Sequence, residues 1–223
     1  MPRETFQQEL AGLRRAIGEL GGDACRQLER AMDALGRHDA ALAECVRRDD
    51  RAINDTYARL EQHAVALIAR QAPMAGDLRL VLASLSTATE LERIADHAAD
   101  IAEVVERTRD APAFDVPATI TEMADRARAM LRDALAAFDA GDAAAAQALA
   151  VADDEVDALE EATYRALIER ARRDPSELEH SVSLVVVAHH IERVADRATN
   201  IAEHTVYAAS GVLDELNPSR VGS

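Results

Sequence analysis

The sequence has few aromatic residues and few helix breakers. Of its 223 residues, 3% are aromatic and none is tryptophan, and the chain holds only 9 glycines and 6 prolines. Alanine is very frequent instead, which is typical of packed helices with small side chains and unlike a β-sandwich or β-barrel. The composition therefore predicts an all-α protein.

Cysteine and long apolar runs are also scarce. Cys25 and Cys45 form neither a Cys-x-x-Cys pair nor a disulfide framework, which predicts reduced thiols. The N-terminal segment lacks a charged-then-apolar signal pattern, and no run approaches the roughly 18 apolar residues of a membrane span. We therefore expect a cytoplasmic protein that does not insert into a membrane directly and reaches any membrane system through a protein partner.

Positive charge is in the minority. The chain has 25 basic against 41 acidic residues, and its formal net charge is −16. Such a field repels phosphate backbones, so no nucleic-acid partner is expected. Cations or a basic patch on another protein are better candidates, and solubility of a helical surface is the alternative explanation of the charge.

A thirteen-residue segment occurs twice in the chain. Residues 91–103 and 191–203 are identical at eight of their thirteen positions and similar at three more. A repeat of this length indicates a duplicated structural unit. In a helix, the acidic residues of each copy share one sector and the apolar residues lie roughly opposite. We therefore expect each copy to be an amphipathic helix with a column of oxygen ligands pointing away from its apolar seam.

Apolar periodicity and turn signals predict six helices in two groups of three. They are predicted over residues 5–36, 40–70, 77–107, 118–139, 143–172 and 175–210, with Gly21-Gly22 inside a single kinked first helix. Residues 110–117 hold two prolines and no periodicity, and they form the predicted linker. Short turns make sequential helices antiparallel neighbours. The predicted fold is a tandem repeat of two antiparallel three-helix bundles, with domains at residues 1–109 and 118–223.

Each half carries two pairs of oxygen-bearing side chains, four residues apart, on adjacent helices. The pairs are Asp50, Asn54, Glu92 and Asp96 in the first half and Asp153, Asp157, Glu192 and Asp196 in the second. Asp100, Asn200, Glu103 and Glu203 could extend these sites. Oxygen ligands without thiolates select hard or borderline cations such as Mg²⁺, Mn²⁺, Ca²⁺ or iron. The sequence thus predicts one partly open metal site for each half, and a solvated acidic face is the alternative.

The sequence contains no recognisable catalytic constellation. Ferritin-like di-iron bundles use Glu-x-x-His, but alanine stands three residues after both Glu92 and Glu192. His97 and His204 are expected to be ordinary histidines on polar faces. At most one of the adjacent His189 and His190 can join the site of Glu192, because neighbours on a helix diverge by about 100°. We expect no enzyme activity and assign no catalytic residue.

Four segments together resemble the PhoU family of phosphate-uptake regulators. They are the motif at 91–96, its copy at 191–197 with Asn200-Ile201, the turn at 71–79, and Gly21-Gly22. The resemblance covers essentially the whole chain and implies two three-helix bundles, a homodimer, and metal ions bound on Glu/Asp-x-x-x-Asp motifs, in some cases as multinuclear clusters. The chain departs from the family pattern in three ways. Alanine replaces glycine at Ala95 and Ala195, Ala72 is an extra turn residue, and Asn54 replaces an acid, which should weaken cation binding in the first half.

The resemblance also implies a regulatory function in phosphate uptake. PhoU-like proteins act with the phosphate ABC transporter, through its ATPase subunit PstB, and with the sensor kinase PhoR. They hold the phosphate-starvation response off when phosphate is plentiful. Two alternatives remain open from the sequence: an accessory subunit of a different phosphate permease or kinase system, and a metal-dependent oxidase built on a helical bundle.

Overall fold

A computed structural model describes residues 3–112, 114–212 and 216 of the chain. The described residues form seven α-helices, one short 3₁₀ turn and no strand. The helices are α1 (Arg3–Arg37), α2 (Ala40–Gln71), α3 (Ala75–Arg107), α4 (Ala118–Ala140), α5 (Ala143–Gln147), α6 (Leu149–Arg173) and α7 (Leu178–Ser210), and the 3₁₀ turn is Pro175–Glu177.

The predicted all-α tandem fold is confirmed, with one predicted helix divided in two. The fifth predicted helix is interrupted at Ala148, which separates the five-residue α5 from α6. Ala148 keeps helical dihedral angles (φ −68°, ψ −16°), and its N–H donates to the carbonyl groups of Ala144 and Ala146. The interruption is therefore a local change in hydrogen bonding within a helical stretch, and the chain keeps six long helical segments.

The turns before α2 and α5 are built alike, as the repeat requires. Asp39 accepts a hydrogen bond from the N–H of Leu42, and Asp142 accepts from the N–H groups of Ala144 and Ala145. Both carboxylates satisfy donors that the first helical turn leaves unpaired. Each half thus begins its second helix with the aspartate cap that its sequence predicts.

The two halves pack side by side through their repeated helices. Helix α3 contacts α1 and α2 of its own half, α7 contacts α4 and α6, and α3 with α7 forms the most extensive helix pair. Each repeated helix therefore has three long neighbours and no broad solvent face. The acidic columns are therefore less open to solvent than the sequence indicates. Glu92 and Asp96 are half-buried and Glu192 is only 9% exposed, although the side chains of Asp100 and Glu103 keep 48% and 44% of their surface exposed.

The segment between the halves is held against both of them. Phe114 is buried, its ring contacts His38 edge-on at 4.5 Å and stacks on His180 at 4.7 Å, and its carbonyl oxygen lies 2.8 Å from His38 Nε2. His38 follows α1 and His180 lies in the first turn of α7, so the segment joins both halves. The division into two domains stays a prediction.

Helix α1 runs without interruption through Gly21-Gly22. A Cβ atom built on Gly21 would lie 2.5 Å from Cδ1 of Leu135 on α4. The glycine thus marks a close approach between helices of the two halves. Among the described residues, no helix combines the length and hydrophobicity needed to cross a membrane.

Candidate metal sites

The first acidic group joins three helices of the N-terminal half. Asp50, on α2, accepts hydrogen bonds from Nε2 of Gln27 at 3.0 Å and from Nδ2 of Asn54 at 3.2 Å. Gln27 is buried on α1 and also reaches the carbonyl oxygen of Ala95 on α3, at 3.4 Å. Asp50 is therefore held in place at the boundary of α1, α2 and α3.

Asp50, Glu92 and Asp96 lie close enough to affect one another's ionisation. Burial raises the pKa of Glu92, and the charge of Asp50 raises it further, against the opposing charge of Arg93. Burial also raises the pKa of Asp96, and the charges of Glu92 and Asp50 contribute to bringing it to about 6. The predicted ligands of the first half thus share one electrostatic environment in which negative charge is under-compensated.

The oxygen atoms of this group are of the kind that binds a hard divalent cation. Oδ1 of Asn54 is buried, and no hydrogen-bond donor among the described residues reaches it. Asn54 donates its amide nitrogen to Asp50, in the assignment that the hydrogen bonds favour. Carboxylate and amide oxygens are the ligands that Mg²⁺, Mn²⁺, Ca²⁺ and iron accept.

The second acidic group is more deeply buried than the first. Asp153 on α6 is 1% exposed, and Asp157 is half-buried one turn later. On α7, Asp196 pairs with Nη1 of Arg193 at 2.8 Å. Arg193 thus compensates the charge of the largely buried Asp196.

Glu192 and His189 of α7 form a compact ligand group with Glu160 of α6. Nδ1 of His189 lies 3.6 Å from Oε1 of Glu160 and 3.8 Å from Oε2 of Glu192. One ligand atom from each of the three side chains lies within 4.8 Å of the others. The prediction that at most one of His189 and His190 joins Glu192 is confirmed, and His189 is that residue.

A second compact group lies at the contact between the two halves. His97 and Asp100 of α3 meet His190 of α7, with 3.3 Å between the two Nδ1 atoms. Oδ2 of Asp100 lies 3.5 Å from Nδ1 of His190 and 3.9 Å from Nδ1 of His97. Burial, together with the neighbouring imidazole and arginines, lowers the pKa of His97 to about 4, and burial also lowers the pKa of His190.

A buried ion-pair group lies across the same helix pair. Oε2 of Glu90 on α3 accepts from Nη1 of Arg197 at 3.3 Å and from Nδ2 of Asn200 at 3.2 Å, both on α7. Nε2 of His204 lies 3.9 Å from Oε1 of Glu90. Burial alone would raise the pKa of Glu90, but His204, the Asn200 amide and the Arg197 charge outweigh it and lower the pKa.

The structure corrects several of the predicted site extensions. Asn200 is bonded to Glu90 of the other half, so it faces the contact between halves. Glu103 lies 4.0 Å from an Arg47 guanidinium nitrogen, and an oxygen of Glu203 accepts the N–H of Leu216 at 2.8 Å. Asp100 contributes to the electrostatics of Asp96 but has its close ligand-type contacts with the histidines. These four residues contact other neighbours than the main predicted ligands do, because successive positions of each column lie on different sides of α3 or α7.

Sequence reasoning missed His97, His190, Glu160 and Glu90 as members of polar groups. His97 was expected on a polar face, yet its side chain is only 19% exposed, as is that of His190. The repeat spacing shows that residues 90 and 190, and residues 97 and 197, are equivalent positions. It does not show that His97 meets His190 or that Glu90 meets Arg197, because those contacts depend on the packing of α3 against α7.

The fold defines a helical-bundle protein built from a duplicated unit, with groups of carboxylates and histidines along its two repeated helices. The chain belongs to the PhoU family. The PhoU domain model matches it twice, over residues 17–105 and 120–205.

The relatives of this chain match it over nearly their full length. A phosphate-specific transport system accessory protein PhoU homolog of Clostridium acetobutylicum is 31% identical over 97% of this chain and 100% of its own. Homolog 1 from Methanothermobacter thermautotrophicus is 33% identical over 92% of this chain and 94% of its own. Both names describe accessory proteins.

Two crystal structures share the fold. The phosphate transport system regulatory protein PhoU from Streptococcus pneumoniae aligns with a TM-score of 0.87 and 29% identity, covering 94% of this chain and 99% of its own. PhoU from Pseudomonas aeruginosa aligns with the same TM-score and identity, covering 93% of this chain and 100% of its own.

Proposed function

We propose that this protein is a cytoplasmic regulatory accessory protein of a phosphate-specific transport system. The observation that carries the proposal is the similarity along the whole chain to proteins with that name, with both repeats present. It would hold the phosphate-starvation response off when phosphate is plentiful. Its partners would be a PstB-like ATPase subunit and a PhoR-like sensor kinase, and it would act as a homodimer.

Deletion of the gene tests the regulatory role. A reporter driven by a phosphate-starvation promoter should be switched on in high phosphate in the deletion strain and silenced again by the restored gene. Unchanged reporter activity in the deletion strain would reject the role.

A specific alternative is that the chain serves another phosphate permease or another kinase. Its chemistry would look the same, so partners must be identified directly. Affinity purification from phosphate-replete cells should recover the ATPase subunit of the phosphate ABC transporter. Recovery of a different permease without that subunit would favour the alternative.

We further propose that each half binds divalent or iron ions, singly or as a cluster, at its acidic group. Asp50, Asn54, Glu92 and Asp96 would serve the first site, with Asp153, Asp157, Glu192 and Asp196 in the second and Asp100 at the edge of the first. A bound cation would supply the positive charge that the raised pKa values of Glu92 and Asp96 call for. This chain's own residues position the oxygens: Gln27 and Asn54 hold Asp50, and Arg193 holds Asp196.

Metal binding is separable from the regulatory role. In calorimetry with Mn²⁺, the double variant Glu192→Ala/Asp196→Ala should lose the binding of the second site and keep that of the first. The double variant Asp55→Ala/Glu61→Ala removes the same charge from exposed positions on α2 and should bind as the native protein does. Equal binding by all three proteins would reject a metal site at Glu192 and Asp196.

The oxidase alternative has a direct test of its own. Purified protein supplied with Fe²⁺ and oxygen should show neither turnover nor the absorption of a diferric centre. Sustained oxygen consumption that the Glu192→Ala/Asp196→Ala variant abolishes would instead establish an enzyme.

A further inference from the structure

The group formed by His97, Asp100 and His190 depends on both halves of the molecule. Two of its residues lie on α3 and one lies on α7, so it exists only where the halves meet. Both imidazoles are largely shielded from solvent, with 19% of each side chain exposed, and Asp100 is half-exposed. The group shares Asp100, whose charge also raises the pKa of Asp96, with the acidic column of α3, but its other two ligands are imidazoles that the column does not include.

The repeat relates this group to the Glu90 ion pair. With the spacing of one hundred residues, Glu90 is equivalent to His190, Arg197 to His97, and Asn200 to Asp100. Both groups therefore include two residues from one repeated helix and one from the other at equivalent positions, and the Glu90 group adds His204 of α7. The duplicated fold thus places two equivalent groups of polar side chains at the α3–α7 contact, and the two groups consist of different residues.

The Glu90 group and the His97 group differ in their chemistry. In the Glu90 group, an arginine and an amide neutralise and saturate the carboxylate. In the His97 group no arginine takes that place, and two imidazoles face one carboxylate. Two of the arginines whose charges reach His97 have carboxylate partners: Arg197 pairs with Glu90 at 3.3 Å and Arg193 with Asp196 at 2.8 Å. Arg107 acts on His190 through its charge.

The distances in the His97 group match a small coordination sphere. Ligands bound tetrahedrally at about 2.0–2.1 Å from Zn²⁺ lie roughly 3.3–3.4 Å from one another. The two Nδ1 atoms are 3.3 Å apart, and the Asp100 oxygen is 3.5 Å and 3.9 Å from them. Burial keeps the imidazoles neutral at neutral pH, the form that binds metals.

We propose that His97, Asp100 and His190 form a transition-metal site that links the two halves of the molecule. Two imidazole nitrogens and one carboxylate oxygen suit Zn²⁺, Co²⁺ or Ni²⁺ better than Mg²⁺ or Ca²⁺, which prefer oxygen ligands. The fourth position is left to water or to a ligand from solvent. A direct contact between the two imidazoles, without any metal, is the competing explanation of the geometry.

Cobalt titration of the full-length, metal-stripped protein tests the site. One equivalent of Co²⁺ should develop the visible absorption of a tetrahedral centre, and Zn²⁺ should displace it while excess Mg²⁺ should not. The variants His97→Asn and His190→Gln should each weaken Co²⁺ binding more than about tenfold, since each removes one of three protein ligands. His63→Gln, at an exposed position on α2, is the matched control and should bind as the native protein does.

Two further measurements keep the test decisive. Circular dichroism checks that the histidine variants retain native helicity. In thermal unfolding, Zn²⁺ should raise the Tm of the native protein but not the Tm of these variants. Asp96→Asn and Glu192→Gln should keep the tetrahedral Co²⁺ signal, which separates this site from the proposed acidic sites. Absence of the signal in the native protein, or its persistence in His97→Asn and His190→Gln, would overturn the proposal.

Discussion

The contacts and ionisation of individual side chains define the acidic group in the N-terminal half. Asp50 is fixed by Gln27 and Asn54, and the pKa of Asp96 is raised to about 6. The sequence predicted the residue types and their spacing but not this environment. Gln27 lies on another helix, and its contact with Asp50 depends on how three helices pack.

Asp96→Asn should stabilise the metal-free protein above pH 6. The folded protein keeps a proton on Asp96 up to about pH 6, whereas the ordinary value is 3.8. Between these values the folded state binds more protons than the unfolded state, so stability falls as pH rises through this window and stays lower above it. Because Asp96 is half-exposed, we expect a gain of about 0.5–1 kcal/mol above pH 6.

Thermal unfolding of metal-free protein at pH 4 and pH 7.5 measures this effect. The Tm advantage of Asp96→Asn should be present at pH 7.5 and vanish near pH 4. Asp55→Asn, at an exposed position of α2, is the control and should show no such difference. An Asp96→Asn variant less stable than the native protein at pH 7.5 would mean that its carboxylate is already compensated.

The extra residue in the turn after α2 is strained. Ala72 has left-handed backbone angles (φ 43°, ψ 55°), and its N–H donates to the carbonyl of Ile68. Left-handed angles cost a non-glycine residue about 1–2 kcal/mol, and glycine's greater freedom in the unfolded chain offsets part of that. Ala72→Gly should therefore raise the free energy of unfolding by about 0.5–1 kcal/mol.

Urea denaturation with a glycine control checks this interpretation. Ala66→Gly introduces the same residue at an exposed position inside α2 and should destabilise by about 0.5–1 kcal/mol. Equal losses at both positions would show that Ala72 carries no strain.

At the scale of helices, the sequence predicted nearly the whole arrangement. Periodicity, aspartate caps and the linker prolines located six helical segments, because these signals act within one or two turns of chain. The interruption at Ala148 was not predicted, since residues 143–148 consist of alanines and one glutamine and carry no local breaker. The partial burial of the acidic columns was not predicted, because the number of neighbours around α3 and α7 is a property of the assembled halves.

The glycines of α1 give a test of how the two halves pack. Gly18 has open space where a Cβ would be added, whereas a Cβ on Gly21 would meet Leu135 of α4. Gly18→Ala should stabilise by about 0.5–1 kcal/mol through helix propensity. Gly21→Ala should gain less or lose stability, because Leu135 must shift into a packed interface. The Gly18→Ala protein thus serves as the control in chemical denaturation, and equal gains at the two positions would contradict the close contact of α1 with α4.

For the whole molecule, duplication explains both what the two halves share and where they differ. The halves share the aspartate caps at the start of their second helices, which are set locally in each copy. They differ where α3 meets α7, because there each copy contacts the other rather than itself. A repeat in sequence therefore predicts the internal structure of each half well and the chemistry at the contact between halves poorly.

The claim that each half holds a cation at its acidic group is tested most directly by anomalous X-ray diffraction from crystals of the full-length protein grown with Mn²⁺. The account predicts anomalous density at two places, one beside Asp50 and Asp96 and one beside Glu192 and Asp196. Ordered carboxylates in both halves with no anomalous density beside either pair, at saturating Mn²⁺, would contradict it.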